Sequence, residues 1–184
     1  MPGQLEAIIY KRGSLQLLDQ LKLPLASVYI DIKDCQAAWV AIKEMQVRGA
    51  PAIAITAALA LAVELVSAQG KALTDAPSAV DFINKKLDYL VTSRPTAVNL
   101  MEAVNRLKAV AAHTAAGSVQ DVVNGVVESA EAMLEEDLAS NRQLGQYGCQ
   151  ALLDAVGKPS LRVLTHCNTG SLATAGYGTA LGVV

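Results

Sequence analysis

A cysteine among small polar residues is the side chain best suited to chemistry in this 184-residue chain. Cys167 lies in the segment THCNTGS, residues 165–171, between a short apolar run and a run of small residues. A turn from a strand into a helix exposes backbone N–H groups that attract anions, and it favours the thiolate form of a nearby cysteine. Cys167 is therefore a candidate base or nucleophile, the alternative being an ordinary small core residue.

Two arginines stand beside predicted helix starts that contain proline. Arg48 begins the sequence RGAP, residues 48–51, and Arg94 immediately precedes Pro95. Proline suits the first position of a helix, where its missing N–H costs nothing. An arginine at such a place offers a guanidinium group together with free backbone donors, and both suit phosphate. The alternative for each is an exposed arginine at a helix corner, and spacing alone leaves both interpretations open.

The elements that must position these residues are mostly helical. Paired apolar runs around a Lys-Arg-Gly-Ser turn predict a strand pair within residues 5–25. Apolar residues at helical spacing predict helices, the first capped by Asp31 or Asp34, over about 34–47, 51–68, 77–92, 96–116 and 118–156. The run 50–66 is too short and too rich in alanine for a membrane span, so we expect a helix buried within the protein.

The character of the sequence changes after Gly157. The apolar run LRVL, residues 161–164, predicts a buried parallel strand, and the small residues 171–175 predict a helix after it. We therefore expect an α/β protein with a mainly helical N-terminal domain, residues 1–158, that includes a short N-terminal β-hairpin. The first strand and helix of a truncated Rossmann-like domain, residues 159–184, would follow. The alternative is that the final segment packs back on the helical domain.

Composition excludes several functions. The net charge is −2 and no cluster of Lys and Arg appears, so we expect no nucleic-acid partner. Three cysteines without a CxxC pair predict neither a metal site nor disulfides, and indicate a reducing compartment, the cytoplasm or also the nucleus. The sequence GYG, residues 176–178, does not match a dinucleotide fingerprint. We expect the acidic residues 131, 135, 136 and 137 to form the solvated face of the last helix.

Four segments together resemble the methylthioribose-1-phosphate isomerase family. They are YKRGSL at 10–15, VRGAPAI at 47–53, SRPTAVN at 93–99 and THCNTGSLATAGYG at 165–178, in the order of the family. The resemblance implies a homodimer when full length, no cofactor or metal, and no membrane. It also implies conversion of the aldose 5-methylthioribose 1-phosphate into the ketose 5-methylthioribulose 1-phosphate in methionine salvage. The family is similar in fold to the regulatory subunits of the translation-initiation guanine-nucleotide exchange factor.

The same resemblance implies roles for particular residues. Arg48, Gly49, Ala50 and Arg94 would bind the sugar phosphate, and Cys167 would act in hydrogen transfer between C2 and C1. The family's catalytic aspartate lies in a second domain, beyond the sequence given, so we expect the 184-residue chain to be inactive by itself. Two alternatives remain: a non-enzymatic interaction protein like the exchange-factor subunits, and an isomerase of ribose 1,5-bisphosphate.

Overall fold

The computed structural model describes residues 5–157 and 160–184, and a small antiparallel sheet comes first along the chain. Its strands are β1 (Ile8–Lys11), β2 (Ser14–Leu18) and β3 (Tyr29–Asp31), in the order β1-β2-β3. The predicted strand pair is confirmed, with Tyr10 opposite Leu15 across the turn. The third strand was not predicted, because three residues are too few to show an alternating pattern.

Helices make up most of the described chain. They are α1 (Cys35–Lys43), α2 (Ala50–Val66), α3 (Ala68–Lys71), α4 (Ala76–Val91), α5 (Val98–Thr114) and α6 (Val119–Val156). The carboxylate of Asp34 accepts the backbone N–H of Ala37 at 2.8 Å and so caps α1. Helix α6 runs for 38 residues without a break and ends at Gly157, whose left-handed backbone (φ 60°) is the usual helix stop. The five helices predicted before residue 157 are confirmed, α6 is one long helix, and the short α3 was not predicted.

Helix α2 lies at the centre of the molecule. Residues 52–65 are all buried, including the polar Thr56 and Glu64. The other long helices and the sheet pack around α2, and its alanines allow their close approach. The expectation of a helix buried inside the protein is confirmed. Within residues 5–157 and 160–184, no helix is both long and apolar enough to span a membrane.

The C-terminal residues differ from the sequence prediction. Residues 161–164 form no strand and are mostly exposed, and the predicted helix is reduced to a single 3-10 turn, Ser171–Ala173. A parallel strand needs a neighbour to receive its backbone hydrogen bonds, and the described chain places none beside 161–164. Further along, the chain packs back on the helices and buries Ala173 and Ala175.

Candidate functional site

One cavity brings together all five residues singled out in the sequence. It has a volume of about 530 Å³ and lies between the start of α2, the loop after α4 and the C-terminal segment. Arg48, Gly49, Ala50, Arg94 and Cys167 line it. Its other lining residues are Met45, Pro51, Ile53, Thr96, Ala97, Asn168, Ala173 and Thr179. A cavity of this volume accommodates a small metabolite.

The start of α2 forms one wall and can attract an anion. Gly49 is the residue before the helix, and within the described chain no side chain caps the first turn. Uncapped N–H groups at a helix start carry partial positive charge. Pro51 in that first turn has no N–H to offer, so the donors come from its neighbours. This wall therefore presents backbone donors rather than carboxylates.

The two arginines add full positive charge to the same cavity. Both are half-buried. The Nε of Arg48 donates to the carbonyl oxygen of Met45 at 3.1 Å, which fixes the direction of the guanidinium group. That bond uses one of the five N–H donors of the group. Arg94 is held through its backbone, because its carbonyl accepts the N–H of Ala97 at 3.0 Å and so closes the turn that leads into α5.

A close backbone contact joins the start of α2 to the C-terminal segment. Gly49 has φ 98°, a conformation that favours glycine. A Cβ atom at position 49 would lie 2.4 Å from the carbonyl oxygen of Ala173 and 2.5 Å from its Cα. Only glycine lets the two backbones approach this closely. Position 49 therefore determines how the segment that carries Cys167 meets α2.

The backbone of Cys167 is itself unusual. Its φ of 81° lies in the left-handed region, which residues other than glycine rarely adopt. Such conformations persist where surrounding contacts enforce them, and they cluster at functional sites. Its thiol is exposed, as is that of Cys149, whereas Cys35 is fully buried and burial raises the pKa of that thiol far above its ordinary value. Cys167 is therefore the one of these three thiols that a ligand in the cavity can reach.

The expected electrostatic setting of Cys167 needs correction. We expected a helix beginning near residue 171 to favour its thiolate, but three residues in a 3-10 turn do not build a helix dipole. The uncapped helix start in the same cavity belongs to α2. The cavity therefore contains a helix N-terminus, but that of α2 rather than of the segment after Cys167.

The acidic stretch of α6 is only partly the solvated face that we expected. Glu135 and Glu136 are exposed, and Glu136 pairs with Arg106 through both oxygens at 2.6 and 2.8 Å. Asp137 is half-buried, and its Oδ2 accepts the backbone N–H of Ala175 at 2.8 Å. Burial raises the pKa of Asp137 above its ordinary value.

Helical periodicity could have placed Asp137 correctly. It shares a stripe with the buried Ala130, Asn141 and Gly145, which lie seven, four and eight residues away. Glu131 also departs from the expectation, because it binds Arg12 and accepts the hydroxyl of Tyr10.

Three polar residues of the cavity were not singled out in the sequence. Asn168 and Thr96 lie inside segments already recognised, so their positions next to Cys167 and Arg94 were available signals. Thr179 shares a hydrogen bond of 2.6 Å with Thr169 across a fold of the chain. No sequence spacing indicates that contact.

The chain is similar in sequence to curated proteins that share one name. The chain is 57% identical to a methylthioribose-1-phosphate isomerase from Vitis vinifera over 183 residues, which cover 98% of this chain and 48% of that protein. It is 50% identical to a protein of the same name from Nematostella vectensis, covering 98% of this chain and 50% of the relative. The chain thus spans about half the length of the curated relatives it matches.

Solved structures resemble the fold just described. A 5-methylthioribose 1-phosphate isomerase from Pyrococcus horikoshii has a TM-score of 0.85 at 33% identity, over 97% of this chain and 48% of that one. Subunit delta of translation initiation factor eIF-2B from A. fulgidus has a TM-score of 0.79 at 36% identity, over 97% and 49%. The sequence model of the initiation factor 2 subunit family matches residues 46–184, which include all five candidate site residues. This chain belongs to the initiation factor 2 subunit family.

Proposed function

We propose that this chain is the N-terminal part of an isomerase that converts 5-methylthioribose 1-phosphate into 5-methylthioribulose 1-phosphate in methionine salvage. The convergence of Arg48, Arg94 and Cys167 on one cavity carries the proposal. Relatives with that name, at 50–57% identity over nearly the whole chain, support it. A scaffold that only binds other proteins needs neither the paired arginines nor a reachable thiol beside them.

The phosphate of the substrate would lie against the start of α2. Two guanidinium groups and the uncapped N–H groups of the first turn supply donors of the kind that phosphate oxygens accept. Gly49 allows the C-terminal segment to cover this wall, and Ala50 leaves room because its side chain is a single methyl group. The phosphate on C1 would thereby fix the sugar with C1 and C2 toward the segment that carries Cys167.

Cys167 would act on the carbon atoms next to the phosphate. Aldose-to-ketose conversion moves one hydrogen between C2 and C1, and it requires that the sugar ring opens although C1 carries phosphate. An acid must help the ring oxygen to leave, and a second group must handle the hydrogen at C2. The Cys167 thiolate would take the second role or stabilise developing charge, and proton and hydride transfer both remain open.

The acid would come from outside the 184 residues. The chain spans about half the length of the isomerases it resembles, and the resemblance assigns the catalytic aspartate to a second, Rossmann-like domain. We propose that residues 159–184 begin that domain, in which 161–164 would become a strand once neighbours pair with it. We further propose that the full-length protein is a cytoplasmic, also nuclear, homodimer and that the 184-residue chain does not turn over substrate.

Turnover by the full-length protein tests the proposal. Cys167→Ala is expected to lower kcat by about 10²–10⁴-fold with little change in KM, as for loss of an acid–base group. Arg48→Ala is expected to raise KM by about 10–100-fold, the equivalent of one lost hydrogen bond to a charged group. Arg142→Ala, an exposed arginine outside the cavity, is the matched control. An unchanged KM for Arg48→Ala would remove Arg48 from the phosphate site.

The likeness to eIF-2B subunit delta supports a second candidate, a non-enzymatic subunit that binds other proteins. The two candidates differ in the cavity, because only the isomerase requires a bound sugar phosphate. Calorimetric titration of the full-length protein with 5-methylthioribose 1-phosphate and with ribose 1,5-bisphosphate separates them. Binding of neither compound would favour the non-enzymatic subunit. Preference for the bisphosphate would favour the related isomerase.

A further inference from the structure

The segment that carries Cys167, residues 167–178, is held in place by tertiary contacts. It contains a single 3-10 turn and neither a strand nor an α-helix. Cys167 has φ 81°, which is unfavourable for a residue other than glycine, while Gly170 adopts its φ of 92° without strain. Without a ladder of internal hydrogen bonds, such a segment depends on its anchors. Those anchors decide where the thiol of Cys167 lies.

Helix α6 supplies the charged anchor. Asp137 accepts the backbone N–H of Ala175 at 2.8 Å through Oδ2, and the Nδ2 of Asn141 at 3.0 Å through Oδ1. Asn141 is 7% exposed and also packs against the segment, because a Cβ atom on Gly178 would lie 2.3 Å from its Oδ1. An uncharged residue, Gln20, also anchors the segment: its Nε2 donates to the carbonyl oxygen of Leu172 at 2.7 Å.

Asp137 lies outside the cavity that contains Cys167. It lines a neighbouring cavity of about 380 Å³ together with Glu136 and Arg106. Its carboxylate is not part of the lining that Arg48, Arg94 and Cys167 share. We propose that Asp137 is a positioning residue, which fixes Cys167 in the cavity by holding the N–H of Ala175. The inference rests on the proposed function, since it assumes that an anion binds in that cavity.

The arrangement requires a carboxylate. Two donors meet two different oxygens of Asp137, and an asparagine in its place has one acceptor and one donor. If Asn141 keeps its orientation, one N–H would face another N–H, and turning Asn141 as well would break its bond of 2.9 Å to the carbonyl oxygen of Asp137. Asp137 is kept half-buried although burial raises the pKa of its carboxyl group, which fits a group whose oxygens are both engaged. A raised pKa would also suit a general acid, but both carboxylate oxygens of Asp137 already accept N–H groups of the protein.

Protection of Cys167 from alkylation measures the position of the segment without requiring turnover. The 184-residue chain is treated with iodoacetamide with and without inorganic phosphate, and peptide masses give the rate at each cysteine. Cys149 is exposed on α6 and serves as the internal reference. At a phosphate concentration about ten times its Kd, the wild-type rate at Cys167 is expected to fall about tenfold, by the factor 1 + [L]/Kd. The rate at Cys149 should not change.

Asp137→Asn is expected to reduce this protection below about twofold, because the anion no longer sits beside a fixed thiol. Glu136→Gln is the matched control, since it removes the adjacent carboxylate and its pair with Arg106 but no contact to the segment. It should keep wild-type protection. In the full-length protein, Asp137→Asn should lower kcat by about tenfold or more while KM stays nearly constant. A merely structural role would lower the thermal midpoint and leave kcat of the folded enzyme intact.

The outcomes separate the two proposals. Absence of protection in the wild-type chain would overturn the phosphate site and, with it, the positioning role. Protection that is equal in wild type and Asp137→Asn would overturn the positioning role and leave the phosphate site standing. If Asp137→Asn fails to fold, Asp137→Ala carries the test, because it also removes the acceptor of the Ala175 N–H but puts no amide N–H against it. Wild-type protection in Asp137→Ala would then overturn the inference.

Discussion

Replacing Gly49 by alanine tests whether the backbone contact with Ala173 holds the cavity together. The added Cβ would lie 2.4 Å from the carbonyl oxygen of Ala173 and 2.5 Å from its Cα. Both atoms belong to the backbone, so neither can rotate away as the end of a side chain could. Either the start of α2 or the segment after Cys167 must move.

Two costs set the magnitude. An alanine at φ 98° is strained by about 1–2 kcal/mol, and forcing atoms into a packed space costs about 1–3 kcal/mol more. The sum of about 2–5 kcal/mol is a large share of the ~5–15 kcal/mol that stabilises a domain. Residues 52–65 of α2 are buried on all sides, whereas the segment around Ala173 rests on a few hydrogen bonds. We therefore expect the segment to move, which relieves the overlap and leaves mainly the strain.

Gly13→Ala is the matched control. Gly13 also has positive φ, 86°, but a Cβ there would meet only the Cγ2 of Val66 at an ordinary distance of 3.6 Å. In thermal unfolding, both variants are expected to lose about 2–8 °C in Tm. The backbone strain is about 1–2 kcal/mol, and each kcal/mol lowers Tm by about 2–4 °C in a chain of this length. Only Gly49→Ala is expected to lose protection of Cys167 by inorganic phosphate. Full protection in Gly49→Ala would refute the reasoning, because the contact would then not govern the cavity.

Two further predictions concern the ion pairs that hold the helical body. Lys86→Met should lower the free energy of unfolding by about 2–3 kcal/mol, because Glu64 is 1% exposed and would lose its cation. Lys85→Met, which removes only an exposed ion pair, should change the free energy of unfolding by less than ~0.5 kcal/mol. Urea denaturation of both variants measures the difference. Bonding to Arg12 lowers the pKa of Glu131, so its stabilisation is complete above the unfolded pKa of about 4.3 and is lost as pH falls through the folded value. The gap in urea midpoint between wild type and Glu131→Gln should therefore be constant at pH 6–7 and narrow below pH ~4, and a gap independent of pH would contradict the assignment.

Local signals in the sequence were sufficient for the helical body. A capping aspartate at residue 34, a proline in the first turn of α2 and a glycine at 157 mark real helix ends. Each of these residues ends or starts a helix through contacts with neighbours a few positions away. The tertiary structure therefore has little influence on where the helix ends. The continuous apolar run of α2 was also decisive, because only a helix covered on all sides tolerates one.

Features that depend on residues far away in the sequence could not be predicted from local patterns. The apolar run 161–164 has the composition of a strand, but a strand exists only where another pairs with it. Asp137 looks like one acidic residue among several, and only the approach of Ala175 from 38 positions away distinguishes it from Glu136.

The residues of the cavity are also of two kinds, those positioned by local signals and those positioned by distant contacts. Arg48 and Arg94 are placed by helix ends that the sequence marks, so the proposed anion site is built into the helical body. Cys167 reaches that site only through non-local contacts of its segment, at Gly49 and Asp137. Binding and chemistry therefore depend on different parts of the chain, which is why the variants proposed above should separate KM from kcat. The overall fold cannot make this distinction, since an isomerase and an initiation-factor subunit both share it at TM-scores of 0.85 and 0.79. Only the residues that line the cavity can therefore distinguish an isomerase from a non-enzymatic subunit.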